Sequence, residues 1–185
     1  MAANEQHYTP PLPRFDKPVK LLIVVAPYYK DIADNLVAGA KAAIKEAGAT
    51  CDLIEVPGAL EIPTAIAIAD ATSNFDGFVA LGCVIRGETT HYDTVCNDSS
   101  RALSQMGLRG ICIGNGILTV ENRKQAEVRA DPADQNKGGG AAIAALHLVA
   151  LSRKWGRETK GIGFLPASEE FLMADGGPDN GPDTA

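Results

Sequence analysis

The sequence predicts an α/β fold, a three-layer α/β/α sandwich around a central four-stranded parallel sheet. Three observations carry that expectation. Short β-branched apolar runs alternate with helical patterns in the order β-α-β-α-β-α-β-α-α, and crossover helices of this length join parallel strands. With 185 residues, the chain is long enough for one domain with a sizeable core and hardly enough for two. The residues are 45% hydrophobic but only 5% aromatic, with 19 glycines, so the core must be aliphatic and closely packed.

Each element has its own signal. VKLLIVVAP (19–27) is a β-branched apolar run of the kind buried on both faces of a sheet. After Asp31, the residues Ile32, Leu36, Val37, Ala40, Ala43 and Ile44 form one helical stripe, and Gly48 stands where a C-terminal cap glycine belongs. CDLIEVP (51–57) is the second strand, followed by a helix in EIPTAIAIADATS, whose Pro63 falls in the first turn. FVALGCVI (78–85) is the third strand. YDTVCNDSSRALSQMG then places Tyr92, Val95, Cys96, Leu103 and Met106 on one helix face. RGICIGNGIL (109–118) reads as the fourth strand, VENRKQAEVRA (120–130) as a short helix, and GGGAAIAALHLVALSRKWG as a long helix ending at Gly156. No internal repeat is present.

The ends differ from this body, so residues 1–17 form an N-terminal extension, 18–157 the single domain and 158–185 an acidic tail. Pro10, Pro11 and Pro13, with Pro18 at the boundary, exclude a central strand from the extension. The last 20 residues are rich in Gly, Pro and Asp, with one helical turn expected in SEEFLMA. They hold Glu169, Glu170, Asp175, Asp179 and Asp183 and no Lys or Arg, so removing those five charges from the net −6 leaves the rest at −1. A nearly neutral body with no basic face points away from nucleic acid. The apolar runs fall short of the roughly 20 residues of a membrane span. MAANEQHYTPPLPRFDKP has no charged-then-apolar export signal. Cys51, Cys83, Cys96 and Cys112 lack CxxC spacing and read as reduced thiols of a cytoplasmic chain.

In an open parallel sheet, ligands bind beyond the carboxyl ends of the strands. Four segments meet that condition: APYYKD, PGALEIP, RGETTHYD and GNGILTVEN. Gly87-Glu88-Thr89-Thr90 lies between a strand end and a helix start, where free N–H groups and the helix dipole favour an anion. The alternative is plain capping by a threonine. His91 follows directly, and its imidazole can donate or accept a proton, although a helix-terminal histidine in water would look the same. His147, within AALHLVAL, reads as structural, and His7 as inert. Glu61 could cap its helix or accept hydrogen bonds from a polyol. Of Tyr28 and Tyr29, one could stack on a planar ligand, or a rim aromatic could simply close the core. Arg129 and Lys137 flank a polar turn and could be ordinary surface cations. No single one of these segments decides between chemistry and bland structure.

Taken together, VVAPYY, VPGALEIP, LGCVIRGETTHYD, TVEN and NKGGGAA occur in an order and spacing that resembles the lumazine synthases. The resemblance covers about residues 18–157. It implies a flavodoxin-like sandwich whose N-terminal segment joins a neighbouring subunit's sheet. It also implies condensation of 5-amino-6-(D-ribitylamino)uracil with 3,4-dihydroxy-2-butanone 4-phosphate, giving 6,7-dimethyl-8-ribityllumazine in riboflavin biosynthesis. No metal or other cofactor is used in the family. On this resemblance Tyr28 stacks on the pyrimidine, Ala59, Leu60 and Glu61 hold the ribityl chain, and the backbone of Cys83, Val84 and Ile85 reads the ring edge. Gly87, Glu88 and Thr89 hold phosphate with Arg129, His91 moves protons, and Lys137 lies near the heterocycle. Asn115, Arg129 and Lys137 come from a second chain, in homopentamers that can pair into decamers or build sixty-subunit shells. The absence of extra residues between Arg129 and Lys137 leans toward a shell. Asn115 stands where many relatives have an aromatic, and Tyr29 where some have asparagine. Two other readings compete: a catalytically silent flavin- or lumazine-binding shell, and a generic nucleotide binder. The second lacks GxGxxG or GK[ST] support; the first leaves a phosphate site without a purpose.

Overall fold

The computed structural model describes residues 10–156. At its centre β1 (Lys20–Val25) pairs in parallel with β2 (Thr50–Glu55) on one side and β3 (Gly77–Ile85) on the other. β3 then pairs with β4 (Ile113–Val120), giving the order β2-β1-β3-β4. The all-parallel, four-stranded sheet expected from the sequence is therefore present. The winding direction reverses between β1 and β3, and that switch point is where sheets of flavodoxin-like order open a crevice.

α1 (Lys30–Glu46), α4 (Arg123–Ala130) and α5 (Lys137–Trp155) cover one face, and α2 (Glu61–Thr72) and α3 (His91–Gly107) the other. Alternation along each strand sorts the core accordingly. Leu21, Ile23, Val25, Val79, Leu81 and Cys83 pack under α1 and α5, whereas Leu22, Val24, Phe78 and Ala80 pack under α2 and α3. β1 and β3 are buried on both faces, and β2 is an exposed edge carrying Leu53 and Ile54. Gly48 takes φ +71° just past α1, the left-handed cap its position suggested.

The fourth strand differs from expectation. Residues 107–111 turn instead of extending: the Gly110 N–H donates to the Gly107 carbonyl and that of Ile111 to Met106, with Gly110 at φ +93°. Pairing begins only where the Phe78 N–H donates to Cys112, so β4 starts four residues later than RGICIGNGIL implied and ends two later, including Thr119 and Val120. On α3, Tyr92 and Cys96 are only half-buried; Ser99 joins Val95, Leu103 and Met106 inside, its hydroxyl donating to the Val95 carbonyl.

Residues 10–17 contain no strand. Leu12 and Phe15 pack on this chain's own core, and Arg153 donates to the Lys17 and Pro18 carbonyls and to Asp76. The first nine residues and the SEEFLMA turn lie outside the described residues.

Candidate active site

The carboxyl ends of β1 and β3 and the start of the second connection enclose a cavity of about 490 Å³. It is lined by Tyr28 and Tyr29 after β1, by Pro57 to Glu61 before α2, and by Cys83 to Ile85 at the end of β3. Gly87, Thr89, His91, Tyr92 and Val95 close the side toward α3. Three of the four loops singled out by position thus meet in one place.

The two tyrosines divide the roles that adjacency left open. Their rings meet edge to face, with centroids 5.0 Å apart at 76°. Tyr29 packs against the core, and burial pushes its phenol above the ordinary value. Tyr28 is 76% exposed and leaves a free aromatic face at the cavity mouth.

Glu61 is the first residue of α2, and no side chain caps that helix. Its Oε2 lies over Gly58, where an added Cβ would come within 2.9 Å. That oxygen is the far end of a flexible side chain, so a larger residue at Gly58 would displace the carboxylate at little cost.

The segment after β3 has little side-chain capping. Thr90 stands at the N-terminus of α3 without a side-chain capping bond. The His91 N–H reaches the Thr89 hydroxyl at a long 3.4 Å. Among the described residues the N–H groups of Gly87, Glu88, Thr89 and Thr90 have no acceptor, and they lie just before the N-terminus of α3. Such a cluster can hold an oxyanion. The Glu88 side chain does not line the cavity.

Cys83 contributes a buried thiol whose pKa is pushed up to about 11, mainly by burial, so it is neutral near pH 7. Val84 and Ile85 are half-buried beside it. Among the described lining residues there is no Lys or Arg, and no cluster of His, Cys, Asp and Glu could hold a metal.

Three expected residues stand apart from this cavity. Asn115 lies inside β4 opposite Ala80, on an exposed position; its Oδ1 accepts from the Ile117 N–H. Arg129 is in the last turn of α4, donating to the Gln125 carbonyl, and Lys137 is the first residue of α5. His147 is on α5, also away from the cavity, with a buried Nε2 that finds no partner among the described residues. Sequence reasoning missed Tyr92 as a lining residue, because helical spacing assigned it to the core.

A family model described as 6,7-dimethyl-8-ribityllumazine synthase matches residues 18–153. A protein of that name from Jannaschia sp. (strain CCS1) is 61% identical over 165 residues, covering 89% of this chain and 92% of its own. Another from Novosphingobium aromaticivorans is 57% identical over 136 residues, covering 74% and 98%. A third, from Agrobacterium fabrum, is 58% identical over 142 residues, covering 74% and 96%.

Proposed function

The chain belongs to the 6,7-dimethyl-8-ribityllumazine synthase family, and from that premise we propose how its residues divide the family's reaction. The protein is a transferase of riboflavin biosynthesis. It condenses 5-amino-6-(D-ribitylamino)uracil with 3,4-dihydroxy-2-butanone 4-phosphate and releases phosphate and water.

The uracil substrate sits across the mouth, its ring on Tyr28, its edge on the backbone of Cys83 to Ile85, and its ribityl hydroxyls on Glu61 beside Ala59 and Leu60. The ketone phosphate takes the free N–H groups of Gly87 to Thr90. The uracil amine then attacks the ketone to give an imine, phosphate leaves by elimination, and the second amine closes the ring. Each step moves a proton, and His91, next to the phosphate loop, accepts and returns it. Holding two substrates in one cavity supplies the larger part of the acceleration.

One observation carries the assembly part of this reading: among the described residues, those lining the cavity leave N–H groups free for an anion but include no Lys or Arg. A phosphate dianion held only by N–H groups lacks its charge partner. Arg129, which does not line its own chain's cavity, supplies that charge from a neighbour, with Lys137 and Asn115 from the same neighbour. The assembly is a homopentamer, whether alone, paired or in a shell, and the exposed β2 edge suits an added strand from an N-terminal extension. Four free thiols suit a cytoplasmic location.

The test is direct. Purified protein given both substrates should develop lumazine fluorescence. His91→Ala should lower kcat by about 10²-fold or more without abolishing turnover, while Arg129→Ala should chiefly raise the KM for the phosphorylated substrate. An unchanged kcat in His91→Ala would remove the proton-transfer role.

A further inference from the structure

Arg86 stands in the middle of the site's sequence signature yet lines no part of the cavity. Its side chain joins three elements. Nε donates to Glu121 Oε2 at 2.8 Å, just past β4, and Nη1 donates to Asp93 Oδ1 at 3.2 Å, in the first turn of α3. The guanidinium carbon lies 4.1 Å from the centroid of Tyr92, which does line the cavity. The Arg86 N–H meanwhile donates to the Val120 carbonyl at 2.9 Å, as the last rung between β3 and β4. Gly87 to Thr90 therefore leave from an anchored point and arrive, through His91 and Tyr92, at another point held by the same side chain.

We infer that Arg86 is a positioning residue: its fork between Glu121 and Asp93, with its stack on Tyr92, sets the shape of the phosphate-holding loop and the placement of His91. This rests on the assignment of phosphate to that loop. Charge excludes a direct role as phosphate ligand, because Arg86 with two carboxylates sums to −1, which repels a phosphate dianion. A role mainly in stability is equally disfavoured. The three side chains are 41%, 53% and 58% exposed, and ion pairs that exposed add little to folding. The geometry needs a planar fork with donors in two directions and a flat face for the ring, which Lys lacks.

Arg86→Lys and Glu121→Gln, in the assembled protein, separate these roles. Three quantities are measured: the KM for the ketone phosphate together with inhibition by inorganic phosphate, the binding of 6,7-dimethyl-8-ribityllumazine by its fluorescence, and the melting temperature. The expected result is a rise of about tenfold or more in the KM and in the inhibition constant, since misplacing a binding loop by about 1 Å can cost up to 10²-fold. Lumazine affinity should change less than about twofold and melting should hold, because the ring and ribityl contacts lie on other loops. Glu121→Gln should be milder than Arg86→Lys, since the Asp93 arm and the Tyr92 stack remain. Equal losses of phosphate and lumazine affinity, or no change in either, would overturn the proposal. If inorganic phosphate fails to inhibit even the wild type, the phosphate assignment itself falls and Arg86's role with it.

Discussion

Cys83 shows how burial sets the chemistry of a single residue. Cys83 lines the cavity, yet its side chain packs beneath α1 and α5 and burial raises its pKa to about 11, where an exposed cysteine titrates near 8.5. The folded state thus prefers the neutral thiol. Stability from this preference is fully present below the unfolded pKa and is lost as pH rises through the folded one. Melting temperature should therefore fall between about pH 8.5 and 11, and less so in Cys83→Ala when each protein is compared with itself at pH 7. A drop of equal size in both would assign the alkaline loss to other groups. The same elevation makes the thiolate scarce, so alkylation at pH 8 should be far slower than for a free thiol. Legibility at this scale was uneven. His91, Glu61 and Tyr28, singled out for the chemistry of their side chains, do stand at the cavity wall. The contacts of Arg86 could not be read in advance, since they depend on how three elements meet.

At the scale of elements, the GGG run at the start of α5 offers a sharp contrast. In sequence, Gly138 and Gly140 look interchangeable. In the fold, a Cβ on Gly138 would come within 2.0 Å of the Leu36 carbonyl oxygen in α1, whereas one on Gly140 meets nothing within 4 Å. The first clash is with backbone, so the two helices must move apart. Gly138→Ala should cost about 2–3 kcal/mol or more, while Gly140→Ala should be neutral or gain up to about 1 kcal/mol from helix propensity. Thermal or denaturant unfolding of the assembled variants checks both; equal effects would mean that the α1–α5 contact is looser than described. This contrast also explains which parts of the fold could be read in advance. The helix stripe of α1 and the apolar run of β1 were legible because periodicity reports one element's own burial. The start of β4 was not. Apolar residues 111 and 112 continue the run, and only the turn at Gly107 to Gly110 delays the pairing. A glycine's need for space or for positive φ is set by its neighbour, which one sequence does not display.

At the scale of the whole molecule, the described residues lining the cavity include no Lys or Arg, and Arg129, the cation expected there, stands in the last turn of α4 outside that lining. The place of Arg129 after β4 does not by itself say whether it serves its own chain's cavity or a neighbour's; only the family resemblance assigned it to a second chain. If each site takes His91 from one subunit and Arg129 from the next, the contact between subunits is heterologous and closes a ring. Two defective chains can then repair each other. Co-expressed His91→Ala and Arg129→Ala subunits, mixed at random, should leave about one site in four with both groups intact, because a heterologous contact draws each group from an independent chain. Activity at low ketone phosphate should therefore rise to about a quarter of wild type, well above the mean of the separate variants. Light scattering on the same sample establishes that the chains have co-assembled. Activity at the plain mean in a co-assembled mixture would show instead that Arg129 serves the cavity of its own chain, or none.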